Sequence, residues 1–131
     1  MSIHSEMIVM VDAILITAIV QRGKADLVVQ AAHEGGAHGA TIFHAKGTGV
    51  RQKRLGLLGL TVNSEKEVVY IVVPSEHADL VFERIFVAAK MDTPGMGIVW
   101  MTSLDKMATY VPHEIAARLG LHREEKRERQ R

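Results

Sequence analysis

The chain has no cysteine. That excludes a disulfide framework, a thiolate nucleophile and any cysteine-ligated zinc or iron–sulfur site, and it fits a reducing compartment. It also lacks an excess of either charge, with sixteen Lys and Arg against fifteen Asp and Glu. No global field therefore draws it to nucleic acid or to an acidic membrane surface. A membrane-length apolar run is missing too. The longest, Met7–Val20, is fourteen residues and is interrupted by Asp12, whereas a membrane helix needs about 20. Its Ile and Val content favours a buried strand over a helix. Met1–Glu6 carries no Lys or Arg, so the basic start of a secretory signal is absent. The expectation is a soluble, cytoplasmic protein with no direct membrane insertion. At 131 residues the length suits one domain that buries a core without staples.

Signatures of catalysis are missing as well. None of the seven histidines forms an H-x-x-x-H or H-E-x-x-H pair, so no metal-ligand spacing is present. His33 and His38 lie five apart across a helix stop. No serine stands in a G-x-S-x-G elbow. Asp and Glu fall mostly on predicted helix exteriors. The expectation is a protein that is not an enzyme, with no catalytic residues and no resident metal.

What is present is a repeat. Ala-Asp-Leu-Val occurs at Ala25–Val28 and again at Ala78–Val81. Each copy follows a β-rich run, Ala13–Val20 or Glu67–Val73. Each precedes a small-residue turn and another β-like run, Gly39–His44 or Gly97–Met101. Strand–helix–strand written twice predicts an α+β, ferredoxin-like βαββαβ fold. Its antiparallel four-stranded sheet carries two helices on one face. The first helix spans about Lys24–Glu34, with Leu27, Val28, Ala31 and Ala32 inward, and Gly35-Gly36 stops it. The second strand of the plan covers about His38–Lys46. Leu55–Val62 and Glu67–Val73 flank Asn63-Ser64-Glu65-Lys66, which reads as a hairpin turn inserted between the second and third strands. Pro74-Ser75 ends that hairpin, with Ser75 as N-cap. The second helix spans about Glu76–Lys90, with Ala78, Val81, Phe82, Ile85 and Ala89 forming the inward stripe. Ile98–Thr102 is the fourth strand, Leu104–Val111 a short further one, and Glu114–Leu121 a C-terminal helix begun by Pro112. Residues 1–122 form the single domain. The tail 123–131, five basic residues against three acidic, has no apolar face to bury and reads as disordered and solubilising rather than as a nucleic-acid contact.

Two glycine turns, Gly47-Thr48-Gly49 and Gly95-Met96-Gly97, sit at element ends, where backbone N–H groups converge on an anion. Plain turn geometry explains either one taken singly. The neighbouring cluster Arg51-Gln52-Lys53-Arg54 changes the balance, because a basic loop beside a glycine turn is what phosphate capture requires. Leu55, Leu57, Leu58, Leu60 and Val62 are too apolar for a free loop. The sheet's second face also needs covering; subunit contact is the natural candidate, and packing within the monomer is the alternative.

With those residues in view, the chain resembles the PII signal-transduction family, in a PII-like branch with a shortened T-loop. The likeness runs from Gly39-Ala40-Thr41 through Lys46-Gly47-Thr48-Gly49 to Arg51-Gln52-Lys53. It resumes at Ala88-Ala89-Lys90 and continues through Gly95-Met96-Gly97-Ile98-Val99-Trp100, which is similar to the family's B-loop. The resemblance implies a homotrimer that binds an adenine nucleotide, with or without magnesium, in clefts between subunits. Thr41 would lie by the base. Gly47 and Gly49 would shape the mouth of the loop, and Gly95 and Gly97 would face phosphates. Gln52 would match the glutamine associated with magnesium and 2-oxoglutarate if a gap is placed at Val50; otherwise Arg51 takes that position. The expected ligand-binding set is Thr41, Gly47, Thr48, Gly49, Arg51, Gln52, Lys53, Gly95, Met96 and Gly97. The chain departs from the family at Ile98 and Thr93, where the B-loop has lysines. Met107–Pro112 lacks the paired arginines of the C-terminal loop, and Val50–Lys66 replaces the long T-loop and its tyrosine. Fewer cations weaken triphosphate binding, so a less charged nucleotide or another small anion is an equal candidate.

The expectation is a regulator whose small-molecule effector shifts the loop between states read by a partner, a transporter or a nitrogen- or carbon-metabolism enzyme. A rival reading is a trimeric divalent-metal-binding protein of the cation-tolerance type, with His33, His38 and His44 as ligands. A third is a ferredoxin-like enzyme, which would need a cleft with paired carboxylates of perturbed pKa.

Overall fold

The apolar run that opens the chain breaks at Val11 and Asp12 into two strands, β1 (Met7–Met10) and β2 (Ala13–Gln21). The computed structural model describes residues 7–47, 64–110 and 114. After β2 come α1 (Ala25–Glu34), β3 (Thr41–Gly47), β4 (Ser64–Pro74), α2 (Ser75–Ala88), β5 (Gly97–Leu104) and β6 (Met107–Tyr110). By internal contacts the chain divides into residues 14–102 and a second unit of residues 1–13 and 103–131. The second unit contains the antiparallel ribbon of β1 and β6, with Met7 opposite Tyr110 and Met10 opposite Met107. The expected further strand is therefore present, and β1 is its partner.

In the larger unit, the four-stranded sheet has the order β3-β4-β2-β5. With α1 between β2 and β3 and α2 between β4 and β5, this is the predicted ferredoxin-like arrangement. One face of the sheet carries the core. Ile16, Ala18 and Val20 from β2 and Val69, Ile71 and Val73 from β4 alternate inward, as strand geometry requires. They meet Val28, Ala31 and Ala32 of α1 and Ala78, Val81 and Ile85 of α2. Gly35, at the end of α1, sits where a Cβ would lie 3.0 Å from the Val81 side chain and 3.2 Å from its Cα. The small residue thus lets the end of α1 approach α2 closely.

The repeated tetrapeptide has one burial pattern in both places. Ala25 and Val28 are buried, as are Ala78 and Val81, while the Asp and Leu between them are exposed. Leu27 thus points outward at 44% exposure, like Leu80 at 47%, and does not belong to the inner face expected of it.

Other boundaries also move. Ser64, Glu65 and Lys66 belong to β4, paired with Gly47, Lys46 and Ala45, so they are not a hairpin turn. Residues 48–63, which connect β3 to β4 and include Leu55–Val62, lie outside the described residues. β3 starts at Thr41, not at His38. α2 takes Pro74 as its N-cap with no side-chain hydrogen bond there, so Ser75 is the first helical residue and not the cap. Of the C-terminal helix only Glu114 is described, and it is helical. The tail 123–131 is outside the described residues. Among the described residues no helix is long and apolar enough to cross a membrane.

Candidate functional site

The hairpin register fixes the first half of the expected site. Thr41 pairs with Tyr70, and the ladder closes where Gly47 meets Ser64. Thr41 is exposed on an edge strand, and Gly47 is the root of the segment 48–63. Thr48, Gly49, Arg51, Gln52 and Lys53 lie outside the described residues.

The second half is the turn between α2 and β5. Helix α2 ends in a Schellman motif. The Lys90 N–H donates to the Val87 carbonyl and the Met91 N–H to the Phe86 carbonyl, at 3.1 and 3.0 Å. Lys90 has φ +54°, the only positive φ on a non-glycine residue among the described residues. Two tight turns follow, Thr93 N–H to the Lys90 carbonyl at 3.0 Å and Met96 N–H to the Thr93 carbonyl at 3.2 Å. Gln21, the last residue of β2, braces the turn: its Nε2 donates to the Gly95 carbonyl at 2.8 Å. Gly97 then begins β5 at φ +147°, and a Cβ there would stand 2.5 Å from the Ile19 carbonyl oxygen. A side chain at 97 would force β5 away from β2. Met96 lies between the two glycines, half-buried.

Thr41 and the glycine turn belong to different edges of the sheet. β3 and β5 are opposite edges of the sheet, with β4 and β2 between them. At the usual strand spacing, three steps separate the edges by roughly 14 Å.

One polar feature near the β3–β4 end was not foreseen. Glu67 Oε1 accepts the backbone N–H groups of Gly23 and Ala25, each at 2.9 Å. It thereby caps α1 from a neighbouring strand, where the residue in the N-cap position, Lys24, makes no side-chain cap bond. The Ala25 N–H, foremost, holds the Glu67 carboxyl below its ordinary value of 4.5; burial opposes this, and the Gly23 N–H, His44 and the Lys24 N–H add to it. His44, directly opposite in the ladder, places Nδ1 3.8 Å from Glu67 Oε2. Nearby, Arg22 pairs with Glu65, both exposed, which is worth little to stability. The signal for Glu67 was in the alternation. It stands in phase with Val69, Ile71 and Val73, and an acidic residue on a buried face must find donors.

The histidines separate into two places. His33 and His38 line one small pocket with Val29, Ala32 and Ala37, whereas His44 faces Glu67. No group of three or more His, Cys, Asp or Glu that could hold a metal occurs among the described residues.

The unhelixed face of the sheet is apolar and exposed in part, with Thr17 and Val68 buried on it. Phe43, Tyr70, Val72, Ile98 and Trp100 are exposed there, from 40% for Phe43 to 56% for Ile98. Phe43 and Tyr70 stack edge to face at 5.1 Å.

Known proteins place this architecture. No curated protein sequence matches the chain. Among solved structures, the crystal structure of Arabidopsis thaliana PII bound to citrate superposes with a TM-score of 0.56 at 20% identity, over 72% of this chain and 78% of that one. At that identity the likeness concerns the fold alone. The sequence profile of the nitrogen regulatory protein P-II family matches residues 13–114, which span β2 through β6 and reach Glu114. The chain belongs to the nitrogen regulatory protein P-II family.

Proposed function

We propose that this chain is a trimeric PII-type regulator that binds an adenine nucleotide, or a similarly small anion, between subunits, and passes its occupancy to a protein partner through residues 48–63. The observation that carries the reading is the separation of the two expected half-sites on opposite sheet edges, β3 and β5. On this reading a neighbouring copy brings the two edges together. The open apolar sheet face supports the assembly, because exposed apolar area of this kind marks an interaction surface. The glycine turn at 95–97, anchored by Gln21, supports a preformed anion-binding edge. Partners of this reading are a transporter or a nitrogen- or carbon-metabolism enzyme; its work is regulation, not catalysis, in a cytoplasmic setting.

Calorimetry with ATP, ADP, AMP and cyclic nucleotides, with and without magnesium, tests the ligand. Saturable binding of at least one is expected, at one site per chain. Absence of heat with all of them, at protein concentrations well above micromolar, would remove the nucleotide from the proposal.

A further inference from the structure

We infer that Lys90 is the phosphate-neutralising cation of the nucleotide site, in place of the lysines that the chain lacks at Thr93 and Ile98. The inference rests on the nucleotide reading above and adds to it a residue outside the expected binding set.

Three observations carry it. The first is backbone conformation. Lys90 occupies the left-handed position that ends α2, with φ +54°, inside a complete Schellman pair of hydrogen bonds. Glycine fills that position in many helices because a Cβ there is strained. The fold itself therefore favours glycine at 90, and the lysine is held against that preference.

The second is charge. From Ile85 to Asp105 the sequence contains no other Lys or Arg. The glycine turn at 95–97 thus has one cation on its own segment, and that side chain is exposed. Lysine supplies a compact, mobile point charge on a four-carbon stem, suited to phosphate oxygens on an edge that has no arginine fork.

The third is rigidity. The turn from Lys90 to Gly97 is fixed at both ends and in the middle. Its start is tied by the Schellman bonds, its interior by Thr93 N–H to Lys90 and Met96 N–H to Thr93, and Gly95 by Gln21. The Lys90 carbonyl accepts the first of those interior bonds, so the cation is mounted on the turn's own hydrogen-bond frame. A phosphate seated at Gly95–Gly97 would meet a charge whose base is already in place.

A purely structural lysine at this position would act on the helix dipole, which favours cations near a helix C-terminus. The two roles separate in the variants Lys90→Gly and Lys90→Asn, since both residues accept the left-handed conformation without the charge. Calorimetry with ATP and AMP would be run beside thermal unfolding. The expected result is ATP binding weakened about tenfold in both variants, by loss of a charge-assisted contact, AMP binding weakened less, and a melting temperature raised by several degrees in Lys90→Gly. Unchanged ATP affinity in both variants, with wild-type protein binding normally, overturns the role of Lys90 and leaves the nucleotide reading intact. Wild-type protein that binds no nucleotide overturns both.

Discussion

Glu67 shows how one side chain can fix the start of a helix from another strand. Its carboxylate takes the first N–H group of α1, at Ala25, and the N–H of Gly23 just before the helix, and the charged form is the one held. Because the folded carboxyl lies below its ordinary 4.5, the stabilisation is complete above that pH and is lost as pH falls through the lowered value. Replacing Glu67 with Gln keeps an acceptor oxygen but removes the charge. The expected cost near neutral pH is about 1 kcal/mol, shrinking toward zero in acid. Urea unfolding of both proteins across pH 3–7 (a range chosen to bracket the carboxylate, roughly) checks this, and a gap that does not narrow in acid would contradict the assignment.

At the scale of elements, the repeated tetrapeptide separates inner from outer positions within a few residues. Val28 is fully buried whereas Leu27 is 44% exposed. Val28→Ala is expected to cost about 2 kcal/mol through the cavity it leaves, and Leu27→Ala within roughly 0.5 kcal/mol, both measured by denaturant unfolding. Hydrophobic size alone ranks these two substitutions the other way. The apolar periods made β2, α1, α2 and β5 legible in the sequence, and also β3, β4 and β6 with shifted boundaries. Leu27 was misplaced because an apolar residue beside the stripe fits a helical wheel nearly as well as one within it. Asn63–Lys66 has turn-forming composition, yet Ser64, Glu65 and Lys66 extend β4, because pairing with Gly47, Lys46 and Ala45 outweighs local preference. Ser75 is a good capping residue by type, but the chain leaves Pro74 extended and starts the helix at Ser75 itself. The run Met7–Val20 reads as a single strand, and its division into β1 and β2 is set by pairing, because the partner of β1, β6, lies near the other end of the sequence.

At the scale of the whole molecule, the open sheet face is the test of assembly. Tyr70 and Trp100 are about two-fifths exposed, at 42% and 41%, and neither belongs to the buried cluster. The double substitution Tyr70→Glu with Trp100→Glu is expected to leave the circular dichroism spectrum unchanged and to convert the proposed trimer to smaller species, read by light scattering after gel filtration. A variant that remains trimeric would move the interface elsewhere. The candidate site was only half legible for a related reason. Sequence motifs named Thr41 and Gly95–Gly97 without saying that they occupy opposite edges, which only the strand order reveals. Gln21 gave no sequence signal at all, since its role depends on where the chain returns 74 residues later.

That strand order has a consequence for how such a protein responds to its own abundance. If each ligand spans the β3 edge of one copy and the β5 edge of another, an isolated chain is blind to it. Ligand and neighbour then reinforce each other by mass action. Dilution silences the sensor before it unfolds the fold, and saturating ligand holds the assembly together at concentrations where the empty protein would fall apart. Under the proposed assembly the protein would act as a coincidence detector, reporting a metabolite only where enough copies are present to read it.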